Sequence, residues 1–245
     1  MLSLREIEGP EPQQLVAVEG GVDLWIIAYK GDSDLSHCLG RLLGEDELAR
    51  AGRFKFDHLR DFYFFCRGSL RRILAHYLAV PANKIEFLYG DKGKPYLADE
   101  SRLQFNVSHA GDLFVCAVST GFPLGVDVEE IRPMEDMPSI SSHFFAPAEQ
   151  ANLANLAESQ RTHSFYECWT RKEAVIKATG EGVSRPLDSF EVAFGPGVEA
   201  QLIRIDDEMH PAWQMQSFQP RPGYVGALAS PMRWNSLRVF EPDWS

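Results

Sequence analysis

The chain has 245 residues, of which 44% are hydrophobic, and it carries a formal net charge of −11 at pH 7. This length can bury a substantial core, either in one large domain or in two lobes of about 120 residues each. The acidic balance argues against a protein that binds nucleic acid along its surface, because such proteins carry a basic face.

The cysteines and the first residues indicate an intracellular protein. The four cysteines are far apart and form no C-x-x-C or Cys/His cluster, which is typical of free thiols in a reducing compartment. Residues 1–14 lack the basic start and the apolar run of a signal peptide. No stretch approaches the roughly 18–20 apolar residues that span a membrane. We therefore expect a cytoplasmic protein that has no membrane partner.

The first half of the chain is predicted to contain a strand, two helices and then a group of strands. An apolar run at 22–29 predicts a buried strand, and helical spacing marks 45–56 and 60–79. Pro81 closes the second helix, because proline cannot continue a helix interior. A strand with a turn, a hairpin and a short strand follow at 85–97, 105–119 and 125–131.

The second half loosely repeats this order. Helices are predicted at 147–159 and 162–180, and the strands that follow at 190–194, 202–205, 213–219 and 224–230. Helices followed by strands, occurring twice, predict an α+β fold of two similar lobes. The STGFPL segment at 119–124 is the predicted boundary, which gives lobes of residues 1–121 and 122–245.

Two carboxylates stand two residues apart on the strand predicted at 125–131. Asp127 and Glu129 therefore share one face, while Val126 and Val128 face the core. Such a pair suits Mg²⁺, which takes one or two carboxylates together with water and phosphate oxygens. A strand with one solvated face shows the same alternation, so both interpretations stay open.

The helix predicted at 162–180 carries Trp169, Glu173 and Lys177 along one stripe, at positions i, i+4 and i+8. Glu173 and Lys177 could form an ordinary surface pair that contributes about 0.2–0.5 kcal/mol. The tryptophan instead favours a partly buried face that lines a cleft. There the pair would need further partners, and a metal ion with phosphates would supply them.

Two further motifs offer phosphate contacts. Ser108 and His109 end a predicted strand beside a tight turn, where side-chain and backbone donors could hold phosphate oxygens. Gly93-Lys94-Pro95 places a lysine beside a glycine that lets the backbone approach a ligand. The plainer alternatives are a structural histidine, an ordinary turn, and Asp112 as a turn residue. Basic residues at 50–72 either extend such a site or solvate the surface of a helix.

Together and in this order, the motifs resemble one family. They are G-K-P at 93–95, F-N-x-S-H at 105–109, G-V-D-V-E at 125–129 and W-x-x-K-E-A-x-x-K at 169–177. This set is similar to the signature of 4′-phosphopantetheinyl transferases. The length and the PLDSF segment at 186–190 resemble the two-lobed, surfactin-synthetase-activating type.

The resemblance implies a fold and a reaction. The fold would be two fused α/β lobes with the active site in the cleft between them. The reaction would move the 4′-phosphopantetheine group of coenzyme A to a serine of an apo acyl, peptidyl or aryl carrier protein, releasing adenosine 3′,5′-bisphosphate. The resemblance also implies Mg²⁺, with Mn²⁺ as the alternative, and a monomer.

It further implies a role for each matching residue. Asp127, Glu129 and Glu173 would coordinate the metal, with Glu173 also the general base. Lys177 would stabilise the departing phosphate. The residues implied to bind coenzyme A are Arg50, Arg53, Arg67, Lys94, Pro95, Ser108, His109 and Lys177.

Two other functions use the same residues. A Mg²⁺-dependent nucleotide pyrophosphate hydrolase would need the same carboxylates and lysine. A non-catalytic coenzyme A-binding module would need none of the acid–base groups. Phe144 and Phe145, soon after the metal-site strand, either dock the carrier protein or enter the core of the second lobe.

Overall fold

The described residues of the computed structural model are 15–90, 92–98, 102–205 and 212–242, and they contain six α-helices and eleven β-strands. The helices are α1 (Ser33–Gly40), α2 (Glu45–Ala51), α3 (Asp57–Leu78), α4 (Met137–Phe144), α5 (Pro147–Asn155) and α6 (Glu158–Thr179). The strands are β1 (Gly21–Ala28), β2 (Phe87–Tyr89), β3 (Pro95–Leu97), β4 (Leu103–Ala110), β5 (Leu113–Thr120), β6 (Gly125–Glu130), β7 (Phe190–Ala193), β8 (Gln201–Ile205), β9 (Gln214–Phe218), β10 (Tyr224–Ser230) and β11 (Ser236–Phe240).

A four-stranded sheet organises the first half, in the order β11-β1-β5-β4. Its central strands, β1 and β5, are almost continuously apolar and buried, as expected for strands covered on both faces. One face packs against α3, whose apolar residues Phe65, Ile73 and Leu74 are buried in the first core. Helix α1 comes close to α3 at Gly68, where an added Cβ would lie 2.5 Å from the Cβ of Leu39.

A three-stranded sheet, β6-β10-β9, organises the second half and packs against α6. Phe165, Val175 and Ile176 of α6 join Val225 of β10 in the second core. Two smaller ladders, β2–β3 and β7–β8, complete the strand pairing of the described residues.

The two sheets share a third core. Val22 and Leu24 of β1 contribute from the first sheet, and Val126 and Val128 of β6 from the second. The faces of the two sheets that turn away from their helices therefore pack against each other. This arrangement holds β4 beside β6, where the motifs of the predicted site lie.

The predicted α+β fold class is confirmed. The strands predicted at 22–29, 125–131 and 224–230 match β1, β6 and β10 closely, and the hairpin at 105–119 matches β4 and β5. The helix predicted at 45–56 ends at Ala51, and the next begins at Asp57, three residues before its predicted start.

Three elements were not predicted. No element was predicted between residues 29 and 45, where helix α1 lies; the Asp32 side chain caps this helix by accepting a hydrogen bond from the amide of Leu35 at 2.9 Å. Helix α4 begins with a proline in its first turn. Strand β11 pairs with β1 in parallel, so a strand from the second half of the chain belongs to the first sheet. The division into residues 1–121 and 122–245 stays a prediction.

Some smaller predictions can be compared directly. Among the described residues, no helix is long and apolar enough to cross a membrane. Cys66, Cys116 and Cys168 are buried free thiols and Cys38 is half-buried, as predicted. Residues 1–14, interpreted above as lacking a signal peptide, lie outside the described residues.

Candidate active site

Gly125 lets α6 lie directly on β6. A Cβ at this position would sit 2.0 Å from the carbonyl oxygen of Ala174 and 2.5 Å from the amide nitrogen of Ala178. Only glycine permits so close an approach of strand and helix backbones. The contact brings the stripe of Glu173 and Lys177 on α6 over the carboxylates of β6.

The motifs meet at the carboxylate of Asp127. Lys177 Nζ donates to Asp127 Oδ1 at 2.7 Å and to the hydroxyl of Ser108 at 2.9 Å. The Ser108 hydroxyl itself donates to Asp127 Oδ1 at 2.8 Å. Strand β4 in the first sheet, strand β6 in the second sheet and helix α6 thus each supply one member of this cluster.

Glu129 and Glu173 extend the cluster into a concentration of negative charge. Burial, followed by the negative charge of Asp127, raises the pKa of Glu129 to about 7. The same two causes raise the pKa of Glu173, against the opposing effect of Lys177. Three carboxylates with Lys177 beside them would be stabilised by a further positive charge.

The carboxylates suit a hard divalent cation by their chemistry. Asp127 Oδ2 is buried and has no hydrogen-bond partner among the described residues, which leaves one oxygen free for a ligand. Carboxylate oxygens are the ligands that Mg²⁺ prefers. No group of three His, Cys, Asp or Glu side chains in the described ranges is already arranged as a metal site. The residue types therefore fit, although their positions form no preassembled metal cage.

The G-K-P motif reaches the same helix from the first half of the chain. Lys94 Nζ donates to the backbone carbonyl oxygen of Lys177 at 2.5 Å. Burial and the charge of Lys177 lower the pKa of Lys94. Lys94 and Pro95 line a cavity of about 460 Å³, which Glu173 and Lys177 also border. The cavity thus reaches the cluster around Asp127 at Lys177 and Glu173.

Ser108 and His109 point in different directions, as neighbours on a strand must. While Ser108 contacts Asp127, the ring of His109 lies edge-on to Phe62 of α3, with ring centroids 5.6 Å apart. His109 is exposed, yet partial burial and then the charge of Lys177 lower its pKa.

A second cavity, of about 560 Å³, holds two of the predicted arginines. Arg50 and Arg53 line it together with Tyr63 and Tyr89. The guanidinium of Arg50 lies over the Tyr63 ring at 5.7 Å. Asp46 and Glu47 also line this cavity, so its wall combines two cations, two carboxylates and aromatic rings.

Arg67 has a partner within the protein. Its guanidinium lies 2.5 Å from Glu47 Oε1, and it also donates to the hydroxyl of Tyr89 at 3.1 Å. Arg71 holds the other oxygen of Glu47 at 2.5 Å. Arg67 therefore connects α3 to α2. It is not itself a lining residue of the second cavity, but it contacts Glu47 and Tyr89, which are.

Sequence reasoning missed the ion pair that anchors α6. Lys172 is fully buried and lies 2.7 Å from Glu149 of α5. It also donates to the carbonyl oxygens of Leu187 and Phe190, at 2.8 and 2.6 Å. The i, i+4 and i+8 stripe singled out residues of the other face, and no local pattern indicates a partner 23 residues away.

Sequence reasoning also missed the long-range contacts of Asn106 and Asp112. Asn106 Oδ1 accepts a hydrogen bond from the amide of Val126 at 2.8 Å, which ties β4 to β6. Asp112, predicted as a turn residue, does occupy the turn but also pairs with Arg221 and accepts a hydrogen bond from Tyr224. A contact more than 100 residues distant leaves no local signal in the sequence.

The aromatic residues near the site divide between core and surface. Phe145 is fully buried and stacks against Phe165, whereas Phe144 is 42% exposed. Phe144 meets the ring of Trp169 edge-on, with centroids 5.7 Å apart. Trp169 is half-buried, as predicted for the stripe that it shares with Glu173 and Lys177.

Comparison with protein families gives two matches that meet near residue 122. Residues 32–121 match a profile described as 4′-phosphopantetheinyl transferase, N-terminal. Residues 123–229 match the 4′-phosphopantetheinyl transferase superfamily. The matched ranges include the whole cluster around Asp127.

Individual proteins are similar over most of the chain. The 4′-phosphopantetheinyl transferase HetI of Nostoc sp. is 38% identical over 223 residues, which cover 90% of this chain and 92% of that protein. The 4′-phosphopantetheinyl transferase Sfp of Bacillus subtilis is 29% identical over 178 residues, covering 72% and 77%. A crystal structure of Thermotoga maritima holo-[acyl-carrier-protein] synthase aligns with a TM-score of 0.36 and 16% identity, over 46% of this chain and 64% of that one.

Proposed function

The chain belongs to the 4′-phosphopantetheinyl transferase superfamily, and from that premise we propose how it performs the reaction. The enzyme moves the 4′-phosphopantetheine group of coenzyme A to the serine hydroxyl of an apo carrier protein, and adenosine 3′,5′-bisphosphate leaves. One observation carries the proposal: Lys177 and Glu173 of α6 lie over Asp127 of β6, beside a cavity that both halves of the chain line.

Asp127, Glu129 and Glu173 are the proposed metal ligands. The free, buried Asp127 Oδ2 and the raised pKa values of both glutamates support this assignment. A bound Mg²⁺ would neutralise negative charge on the pyrophosphate during phosphoryl transfer. A chelator should therefore stop transfer, and added Mg²⁺ should restore it. Transfer that continues unchanged in chelator would contradict the assignment.

Glu173 is the proposed general base for the carrier serine, directly or through a water molecule. Its place on the cavity wall beside Lys177 supports this role, because a general base must lie within reach of the proton that it removes. Lys177 is placed to stabilise the departing phosphate. Its ammonium pairs with Asp127 and lines the cavity, so it can exchange this carboxylate for the departing phosphate as its partner.

The adenosine end of coenzyme A is proposed to lie against the first-half residues. Lys94, Pro95 and His109 lie close to α6, and Arg50 and Arg53 line the second cavity with aromatic rings. Arg53→Leu should raise the KM for coenzyme A more than the KM for dephospho-coenzyme A, because only the first ligand carries the 3′-phosphate. An equal rise in both KM values would contradict the assignment of Arg53 to the 3′-phosphate site.

The chain is proposed to act as a monomer of two lobes divided near residue 121. The meeting of the two family matches supports this boundary, and the shared third core supports a stable pair of lobes within one chain. Sedimentation at assay concentration should give the mass of one chain. A dimer under those conditions would contradict the proposal.

Phe144 is proposed to contact the carrier protein. It is exposed on α4, lines the cavity, and packs edge-on against the ring of Trp169. The net charge of −11 gives no long-range attraction to a partner that is itself acidic, so a local apolar contact would have to hold such a carrier. Phe144→Ala should raise the KM for the carrier with kcat little changed. An unchanged KM would exclude this contact.

Release of adenosine 3′,5′-bisphosphate distinguishes the transferase from its alternatives. The enzyme should release it from coenzyme A in the presence of Mg²⁺ only when an apo carrier protein is added. Equal release without carrier would indicate a pyrophosphate hydrolase. Tight binding of coenzyme A with no release in either case would indicate a non-catalytic binding module.

A further inference from the structure

A cluster of three side chains, Asp112, Arg221 and Tyr224, joins the β4–β5 turn to the second sheet. Asp112 in the turn pairs with Arg221 and accepts a hydrogen bond from the Tyr224 hydroxyl at 3.0 Å. Arg221 also donates to that hydroxyl at 3.0 Å, and its guanidinium lies 4.6 Å from the centre of the Tyr224 ring. A Cβ at Gly111 would meet the Tyr224 hydroxyl and would lie 2.6 Å from Glu130 Oε2. The turn therefore packs directly onto the adjoining ends of β6 and β10.

This turn cluster is the last of three polar contacts that follow β4 along β6. Asn106 Oδ1 accepts a hydrogen bond from the amide of Val126, and the Ser108 hydroxyl donates to Asp127 Oδ1 at 2.8 Å. The turn cluster comes next, at the end of the hairpin. Apolar packing in the third core holds the two sheets together without fixing a direction, whereas hydrogen bonds fix positions. Strand β4 is thus fixed on both sides of Ser108.

We propose that the turn cluster holds β4 in the position that the reaction requires, so that Asp112 and Arg221 are positioning residues. This inference rests on the proposed function, in which Asp127 binds the metal and Lys177 stabilises the departing phosphate. The Ser108 hydroxyl touches both of these side chains, so a shift of β4 would disturb both hydrogen bonds. A misplacement of about 1 Å in an active site can cost about 100-fold in rate.

The exposure of the charged pair makes positioning separable from stability. The side chains of Asp112 and Arg221 are 42% and 37% exposed. Solvent screens such a pair, so its removal changes the stability of the fold little. A loss of rate that is not accompanied by a loss of stability is therefore the mark of positioning.

Alanine at either end of the pair tests the inference. Asp112→Ala and Arg221→Ala should each lower kcat about 10-fold, with the midpoint of thermal unfolding almost unchanged. The variant that carries both substitutions should be no slower than either single variant, because the same contact is lost in all three. The exchanged pair, Asp112→Arg with Arg221→Asp, again places opposite charges across the gap and should recover most of the rate.

Glu191→Ala is the matched control. Glu191 of β7 forms a partly exposed ion pair with Arg204 of β8 at 2.8 Å, within one small ladder. Its kcat should stay within about twofold of the unaltered enzyme. A folded Arg221→Ala enzyme in the same range would overturn the inference. So would a double alanine variant whose loss of rate is the product of the two single losses.

Tyr224→Phe covers the case in which a variant of the charged pair does not fold. It removes only the hydroxyl that donates to Asp112 and leaves the buried ring in place. Its kcat should fall about 3- to 10-fold, as expected for the loss of one hydrogen bond. An unchanged kcat would also overturn the inference.

A measurement without turnover separates this inference from the proposed function. Amide hydrogen exchange at residues 110–113 should be faster in Arg221→Ala than in Glu191→Ala, because the turn has lost a contact that holds it. Equal exchange in the two variants would overturn the inference. Failure of the proposed function looks different, because the unaltered enzyme would then transfer nothing to any carrier while the difference in exchange remained.

Discussion

A methyl group at Gly125 would lie 2.0 Å from the carbonyl oxygen of Ala174, within a backbone contact that cannot yield without moving α6. Gly125→Ala should therefore lower the free energy of unfolding by about 2–3 kcal/mol, as overpacking does, and reduce transfer as well. Chemical denaturation measures the first effect. Gly52→Ala is the control, because Gly52 has a φ of −64° and its nearest contacts would be 3.7 Å away. Equal stability of the two variants would show that α6 does not depend on this glycine.

Glu173 is the residue on which the proposed chemistry depends most. Glu173→Gln keeps the shape but removes the charge, so kcat should fall about 10²- to 10⁴-fold, the usual range for a lost general base. The enzyme should stay folded, because burial and then the charge of Asp127 already raise the pKa of Glu173. Steady-state kinetics and thermal unfolding together test this. Glu158→Gln, in the first turn of α6, should leave kcat unchanged.

At the scale of single residues, local spacing could predict which side chains share a face but not which partners they find. The i, i+2 and i, i+4 patterns correctly placed Asp127 with Glu129, and Glu173 with Lys177, on common faces. The pairing of Arg67 with Glu47 depends on how α2 packs against α3. That packing is a tertiary event, and no pattern within either helix encodes it.

Helix α6 is anchored through the buried pair of Lys172 and Glu149. Lys172→Met would leave a buried carboxylate without its cation, which should lower the free energy of unfolding by about 3–5 kcal/mol. The double variant Lys172→Met with Glu149→Leu should recover a substantial part of that loss, because no buried charge then remains. Urea denaturation of the two variants makes the comparison. A double variant no more stable than Lys172→Met would contradict the account.

Helix α3 ends on a residue that is not suited to its conformation. Ala79 has a φ of 53°, in the left-handed region that glycine adopts without strain. Ala79→Gly should therefore raise the free energy of unfolding by about 1 kcal/mol. Ala49→Gly on the exposed face of α2 should lower it by about 1 kcal/mol. Thermal or urea unfolding that shows the same sign for both would rule out strain at Ala79.

At the scale of elements, length explains part of what could be predicted. The two 22-residue helices, α3 and α6, repeat their pattern over many turns and were therefore recognisable. Helices α1 and α4 have only eight residues each and were missed, although α2 and α5, with seven and nine residues, were predicted. Strand β11 was missed because its role is to pair with β1, and pairing across more than 200 residues leaves no mark on either strand.

At the scale of the whole molecule, the repeated order of helices and strands correctly predicted the α+β class, while the division into two similar lobes stays a prediction. It could not predict that β11 crosses back into the first sheet. Arg238 of β11 holds the buried carboxylate of Asp23 with two hydrogen bonds of 2.6 Å, and Tyr77 donates to the same carboxylate at 2.7 Å. The first and last strands of the described residues are thus joined within the first sheet by these hydrogen bonds.

The intact mass of an apo carrier protein, after incubation with this enzyme, coenzyme A and Mg²⁺, tests the central claim most directly. The account predicts a gain of one phosphopantetheine group, which disappears when the acceptor serine of the carrier is replaced by alanine. With the Glu173→Gln enzyme the gain should appear about 10²- to 10⁴-fold more slowly. No gain in mass on acyl, peptidyl or aryl carrier proteins would contradict it.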